Sequence, residues 1–345
     1  MHLGLRVTSG AVVALCLLLS VQAQVPLTGA SRPRRVGANA LQTPTPAGLA
    51  PASAPGVIER VASAPPPPAR TDDQVELNSD LVLVSAVVTT GPDGADLVRG
   101  LKSNDFSIFD EGVRQEISFF GDESLPLEII FLVDASQSMQ VHKTFQREAM
   151  GTFLRTLLRP TDHGAVYWFS DQLHVMQDFT DKSGSLNSAI FMIPSGGATA
   201  LYSAIAASSN KLATKTGRRA IVVLSDGRDT FSGIRLEDAL RQAQSTDTAI
   251  YAINTSFARW AVTEEYRQND PLEYLATETG GEVYYISNPD DVEEALSRLS
   301  GRLREQYVLG FYPSAERNAG KYRHLKIRLN GHDGSVIART GYYSR

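Results

Sequence analysis

Between residues 126 and 300 the chain alternates short apolar runs with longer amphipathic ones, and this alternation limits the fold more than any other feature. "EIIFLVDAS" (128–136), "RRAIVVLSDG" (218–227) and "TAIYAINTS" (248–256) have almost no polar interruption, as expected of strands covered on both faces. "GAVYWFS" (164–170) and "LHVMQDF" (173–179) read as a strand and its edge hairpin partner, and "GEVYYIS" (281–287) as a last strand. In "VHKTFQREAMGTFLRTLLR" (141–159), Phe145, Ala149, Phe153, Leu154 and Leu157 recur at helical spacing. Further helices are predicted at 185–193, 200–214, 235–245, 271–280 and 288–306, the last opened by Asn288 and Pro289. Strands and helices alternating over this length predict an α/β fold with a doubly wound, mainly parallel sheet flanked by helices.

The flanks carry a different pattern. Residues 80–100, 105–112 and 114–120 before this region, and 305–313, 322–330 and 336–344 after it, are short β-like runs broken by turn signals such as "GPDG". Each flank has only about 40–55 residues, too few to bury a core alone, whereas together they supply about seven strands, enough for a small β-sandwich. A parallel strand starting at 128 and a helix ending near 304 both lie at the amino edge of the sheet. The α/β domain (126–304) is therefore expected to be inserted into a discontinuous sandwich, with halves at 75–125 and 305–345.

Two segments stand outside the folded part. Arg6, the apolar run "AVVALCLLLS" (11–20) and "VQA" read as a signal peptide (1–23) cut after Ala23, and this predicts export to the periplasm or beyond. The apolar run falls short of the about 20 residues a membrane helix needs, although an uncleaved anchor is the other reading. No other stretch is long and apolar enough to span a membrane. Residues 24–74 hold ten of the seventeen prolines and little apolar bulk, and read as a disordered linker. The one cysteine, Cys16, leaves with the signal peptide, so no disulfide is expected. Losing Arg6 moves the net charge from −5 to −6, an acidic balance that argues against nucleic acid as a partner.

In open α/β sheets, ligands bind outside the carboxyl ends of the strands, where the strand order reverses. Three stretches bring oxygen-bearing side chains to such places. "VDASQS" brings Asp134, Ser136 and Ser138; "SGGATALYSAI" (195–205) brings Thr199 after two glycines; "VLSDG" brings Asp226. Hydroxyls and carboxylates without sulfur or imidazole suit a hard cation, Mg²⁺ with Mn²⁺ or Ca²⁺ as rivals. Each piece also has a plainer reading. Ser138 and Thr199 could cap helices, and Asp226 with Gly227 could form an ordinary turn.

Together these residues make the region 126–300 resemble a von Willebrand factor type A domain. Asp134, Ser136, Ser138, Thr199 and Asp226 match the metal-ion-dependent adhesion site of that family. The flanks, with "GLKSNDFSIFDEGVRQEISFF" and "YVLGFYPS…RTGYYSR", resemble a bacterial group of exported proteins related to it. The resemblance implies hydroxyls that contact the metal, acids that often act through water, and a partner carboxylate that completes the coordination. It also implies a last helix that slides when ligand binds, here running straight into the strand at 305–313. The expected function is an exported, metal-dependent protein-binding module that captures a partner's Asp or Glu.

Further positions are read more loosely. Asp229, three residues after Asp226, could hold a coordinated water or be a surface acid. The loop "FARWAVTEEYRQND" (257–270) opens at the same carboxyl edge, and its Arg259, Trp260 and Tyr266 are types favoured at binding hot spots. Trp260 could instead fold back on the core. No nucleophile elbow, HExxH, phosphate loop or dinucleotide fingerprint is present. His142 invites a general-base reading, but a helix-surface histidine is the favoured one, so no catalytic residue is expected. The alternatives are a structural or assembly protein whose loops the metal only stabilises, and a metal-dependent hydrolase.

Overall fold

The computed structural model describes residues 81–91, 94, 96–122, 125–135, 151, 153–154, 156–256, 263–286, 291–313 and 319–344. The expected signal peptide and linker, and with them Ser136, Ser138, His142, Arg259 and Trp260, lie outside the described residues.

The first flank folds into β1 (Val82–Thr90), β2 (Asp96–Leu97), β3 (Phe106–Asp110), β4 (Val113–Gln115) and β5 (Phe119–Asp122). The central region supplies β6 (Leu127–Asp134), β7 (His163–Phe169), β8 (Leu173–Thr180), β9 (Arg218–Ser225), β10 (Thr248–Asn254) and β11 (Val283–Tyr285). The second flank adds β12 (Tyr307–Phe311), β13 (Tyr322–Leu329), β14 (Ser335–Ala338) and β15 (Gly341–Tyr343).

The central sheet has the order β11-β10-β9-β6-β7-β8, parallel except for the edge strand β8. Its inner strands are apolar on both sides because both sides are covered. Along β6, Ile129 and Phe131 enter one core while Ile130 and Leu132 enter the other. Burying each such side chain contributes about 1.5–3 kcal/mol. Helices Ser183–Phe191, Leu201–Leu212, Leu236–Ser245, Pro271–Thr279 and Asp291–Arg304 cover the sheet. In Asp291–Arg304 the buried set Val292, Ala295, Leu296, Leu299 and Leu303 follows helical spacing. Pro271–Thr279 is framed by its sequence: Asp270 accepts from Leu272 N at 2.9 Å, Pro271 opens the helix, and Gly280 closes it at φ 81°. The described part of 141–159 is helical at 151, 153, 154, 156 and 157.

The flanks pair with each other in two antiparallel sheets, β14-β1-β12-β5 with β2 beside β1, and β15-β13-β3-β4. Both sheets take strands from both flanks, and between them lies a separate core that includes Val84, Ile108, Leu309 and Phe311. The α/β layer is thus inserted in a discontinuous sandwich, as expected. Two runs read as single strands are each divided between the sheets. Residues 114–120 contribute to β4 and then β5, and 336–344 to β14 and then β15. Alternation marks a strand but not the sheet it joins, so these corners were not legible. A buried pair pins the second sheet: Arg323 Nη2 donates to Asp110 Oδ2 at 2.8 Å and Arg323 Nε to Oδ1 at 3.0 Å. Tyr342 donates to the same carboxylate.

The chain passes between the two layers twice, at 125–127 and at 303–307, and one side chain holds both crossings. Arg218, at the start of β9 and 7% exposed, donates through Nε to Leu125 O at 3.4 Å. Its Nη1 donates to Leu303 O at 2.9 Å and to Gln306 Oε1 at 3.0 Å. Asp162 does the same from the other side. It accepts from Leu127 N at 2.8 Å and from Arg304 Nη2 at 2.5 Å.

Candidate metal centre

The strand order reverses between β9 and β6. From β6 the chain moves outward to β7 and β8, then returns to lay β9 on the other side of β6. Asp134 ends β6, and Asp226 follows the last residue of β9, so both acids stand at the carboxyl edge on neighbouring strands. Asp134 is 2% exposed. The hydroxyl of Ser225, the fully buried last residue of β9, donates to Asp134 Oδ2 at 2.7 Å. Gly227 N in turn donates to Ser225 Oγ at 3.2 Å. Ser225 is not among the residues expected at the site; its sequence signal is a polar residue ending an otherwise apolar strand.

Thr199 arrives on a loop laid across the ends of β6 and β7. Gly196 N donates to Ala135 O at 2.7 Å, and Ala200 N to Ser170 O at 2.6 Å. The two glycines make this passage possible. Gly196 and Gly197 have φ of 119° and 104°, and a Cβ on Gly197 would lie 2.8 Å from that of Ser170. On its other side Thr199 is locked to the loop after β9. Its carbonyl accepts from Thr230 N at 2.8 Å and Phe231 N at 3.0 Å, and its own N donates to Thr230 Oγ1 at 3.0 Å.

The cap reading of Thr199 does not hold. The helix Leu201–Leu212 begins after Ala200 with no side-chain cap of its own. Its first amides are satisfied from the loop after β9: Tyr202 N donates to Asp229 Oδ2 at 2.9 Å, and Ser203 N to Ser232 Oγ at 3.0 Å. Among the described residues the Thr199 hydroxyl makes no hydrogen bond, although the residue is only 7% exposed. Asp229 thus acts as a remote helix cap, and it also accepts from Ser232 N at 3.0 Å and Ser232 Oγ at 2.5 Å. The turn reading of Asp226 is present, with Arg228 N donating to Oδ1 at 3.1 Å and Gly227 at φ 81°. The Arg228 guanidinium stands 4.0 Å from Oδ2 and is exposed, a weak pairing.

The described part of the loop 257–270 is largely helical. Thr263 caps a short helix Glu264–Asn269 by accepting from Tyr266 N at 3.1 Å. The Tyr266 ring lies edge-on to Tyr285, with centroids 6.1 Å apart. The Tyr285 hydroxyl is within hydrogen-bond distance of both Asp270 Oδ2, at 2.9 Å, and Glu273 Oε2, at 3.0 Å. Burial raises the Glu273 carboxyl above its ordinary range. Asn254, ending β10, donates to Asp270 at 2.7 Å. Asp270 also lies beside the Gly227 turn, where an added Cβ would be 3.0 Å from Asp270 Oδ1.

Residues 128–298 match the von Willebrand factor type A domain. The mainly parallel sheet with its helical covers is the fold of that domain. A von Willebrand factor type A protein from Catenulispora acidiphila is similar in structure, with 14% identity and a TM-score of 0.45 over 70% of this chain and 75% of that one. The PilB minor pilin from Streptococcus sanguinis is similar at 13% identity and a TM-score of 0.42, over 52% of this chain and 61% of that one. The vWF domain of a type V pili tip protein from Porphyromonas gingivalis is similar at 12% identity and a TM-score of 0.42, over 52% and 95%. No curated protein matches the chain. Type A domains often bind a divalent metal. Among the described residues no three His, Cys, Asp or Glu side chains gather to hold one. Among them, too, no helix is long and apolar enough to cross a membrane.

Proposed function

We propose that the type A domain binds a protein partner through a divalent cation held by Asp134, Ser136, Ser138, Thr199 and Asp226, with an Asp or Glu of the partner as the remaining ligand. The observation that carries this reading is the Thr199 hydroxyl. Thr199 is 7% exposed as a residue, and its hydroxyl makes no hydrogen bond among the described residues, at the edge where Asp134 and Asp226 end neighbouring strands. A hydroxyl not used by the fold, on an otherwise well-held loop, is open to a cation. The donor chemistry favours Mg²⁺, with Mn²⁺ or Ca²⁺ as alternatives. When bound, the cation supplies positive charge that a neutral hydroxyl set leaves largely uncompensated, so an incoming carboxylate is attracted. We assign residues 1–23 to a signal peptide and 24–74 to a linker. The sandwich halves are 75–125 and 305–345, and the binding domain is 126–304. The protein is then exported, to the periplasm or beyond.

The test is calorimetric titration of Mg²⁺, Mn²⁺ and Ca²⁺ into wild type and a Thr199→Val variant, with unfolding curves to show that both are folded. Weaker binding to the folded variant is expected, and no binding of any of the three ions to wild type overturns the proposal. A structural role for the metal would instead show as a chelator-induced fall in Tm with partner capture unchanged.

A further inference from the structure

Resting on the cation-bridged reading, we propose that Phe231 is the second anchor of the binding surface. The preferred partner segment then presents an acidic side chain next to a large apolar one. Phe231 is 60% exposed, although its backbone is among the most firmly held on this edge. Its amide donates to Thr199 O at 3.0 Å, Thr230 before it bonds Thr199 at both N and O, and Ser232 after it is bonded to Asp229 and Ser203. These bonds fix the loop from both sides. The exposure of the ring is therefore imposed by the fold, and the ring cannot swing into the core beneath the helix Leu201–Leu212, which Leu201, Ala204 and Ile205 already fill.

Position gives this exposure its meaning. The Phe231 amide is bonded to the carbonyl of Thr199, so the exposed ring is carried by the loop that adjoins the proposed cation ligand, within reach of a partner bound there. Two residues beyond Asp226, Arg228 extends an 81% exposed side chain from the same loop and adds positive charge to the approach. A partner matching this edge carries negative charge for the cation and Arg228 and an apolar group for Phe231. Aromatic side chains, Phe among them, are enriched at the cores of interfaces. Val113, exposed to a similar degree on β4 of the sandwich, is a control for exposure alone.

The probe is a displayed library of random linear peptides, panned on the immobilised full chain in Mg²⁺ and eluted with chelator. An enriched peptide is then synthesised and its affinity measured for wild type, Phe231→Ala and Val113→Ala. The expected peptides carry Asp or Glu within about three positions of a large apolar residue. Phe231→Ala should bind them about tenfold more weakly or worse, with its own Mg²⁺ affinity unchanged and Val113→Ala equal to wild type. Chelator-eluted peptides lacking an apolar neighbour, or a Phe231→Ala affinity within about twofold of wild type, overturn this inference and leave the cation bridge standing. Enriched peptides that bind equally well in chelator overturn the bridge itself, and failure to enrich any chelator-eluted peptide counts against both.

Discussion

Ser225 Oγ donates to Asp134 Oδ2 at 2.7 Å, joining the last residues of the two strands between which the sheet order reverses. The hydroxyl restrains the orientation of the Asp134 carboxylate, which is a proposed metal ligand. Ser225→Ala should therefore weaken Mg²⁺ binding by about 10–100-fold, the usual cost of losing a residue that orients a metal ligand. Calorimetric titration reads the affinity, and an unchanged value would show that the bond serves packing alone.

Asp229 supplies the cap that the helix Leu201–Leu212 lacks within its own sequence. Asp229→Ala should destabilise the domain by about 1–2 kcal/mol in urea unfolding. Because the same contacts tie the loop after β9 to the helix that follows Thr199, Mg²⁺ affinity should fall with it.

Asp110 is wholly buried and bound in parallel by Arg323. The carboxylate holds the Arg323 guanidinium above its ordinary range, and burial pushes the Tyr342 hydroxyl beside it up to about 12. Asp110→Ala strands a buried cation and should cost about 3–5 kcal/mol, whereas Asp110→Leu combined with Arg323→Met should cost far less. Chemical denaturation of the single and double variants gives the comparison.

Asp162 titrates below its ordinary value of 3.8. Burial alone would raise it, but hydrogen bonds from Leu127 N, Arg159 N and the Arg304 side chain outweigh that effect. A folded-state pKa below the unfolded one means that its stabilisation is complete above about 3.9 and is lost as pH falls through the depressed value. Stability measured from pH 6 downward should thus fall less steeply in Asp162→Asn than in wild type, from a lower starting point.

The sheet was legible in the sequence because β6, β9 and β10 are buried on both faces and therefore read as unbroken apolar runs. Asp134 and Asp226 were legible for the same reason, as acids that end such runs, and Thr199 through the Gly-Gly pair before it. What stayed hidden depends on distant partners. Asp229 caps a helix whose capped amide lies 27 residues earlier, and no local pattern signals that. The helix Glu264–Asn269 is short and polar without an apolar stripe, so only Thr263 hinted at it. The splitting of 114–120 and 336–344 between two sheets is settled by packing, to which alternation is blind.

The two chain crossings held by Arg218 and Asp162 lie side by side at the amino edge of the central sheet, opposite the carboxyl edge that bears Asp134 and Thr199. A pull applied at the carboxyl edge and resisted by the sandwich therefore leaves the domain through two covalent strands in parallel. Each carries part of the tension, and neither sheet edge is peeled one hydrogen bond at a time. A domain hung by one terminus would send the whole load through a single segment. Insertion makes this one a doubly tethered link.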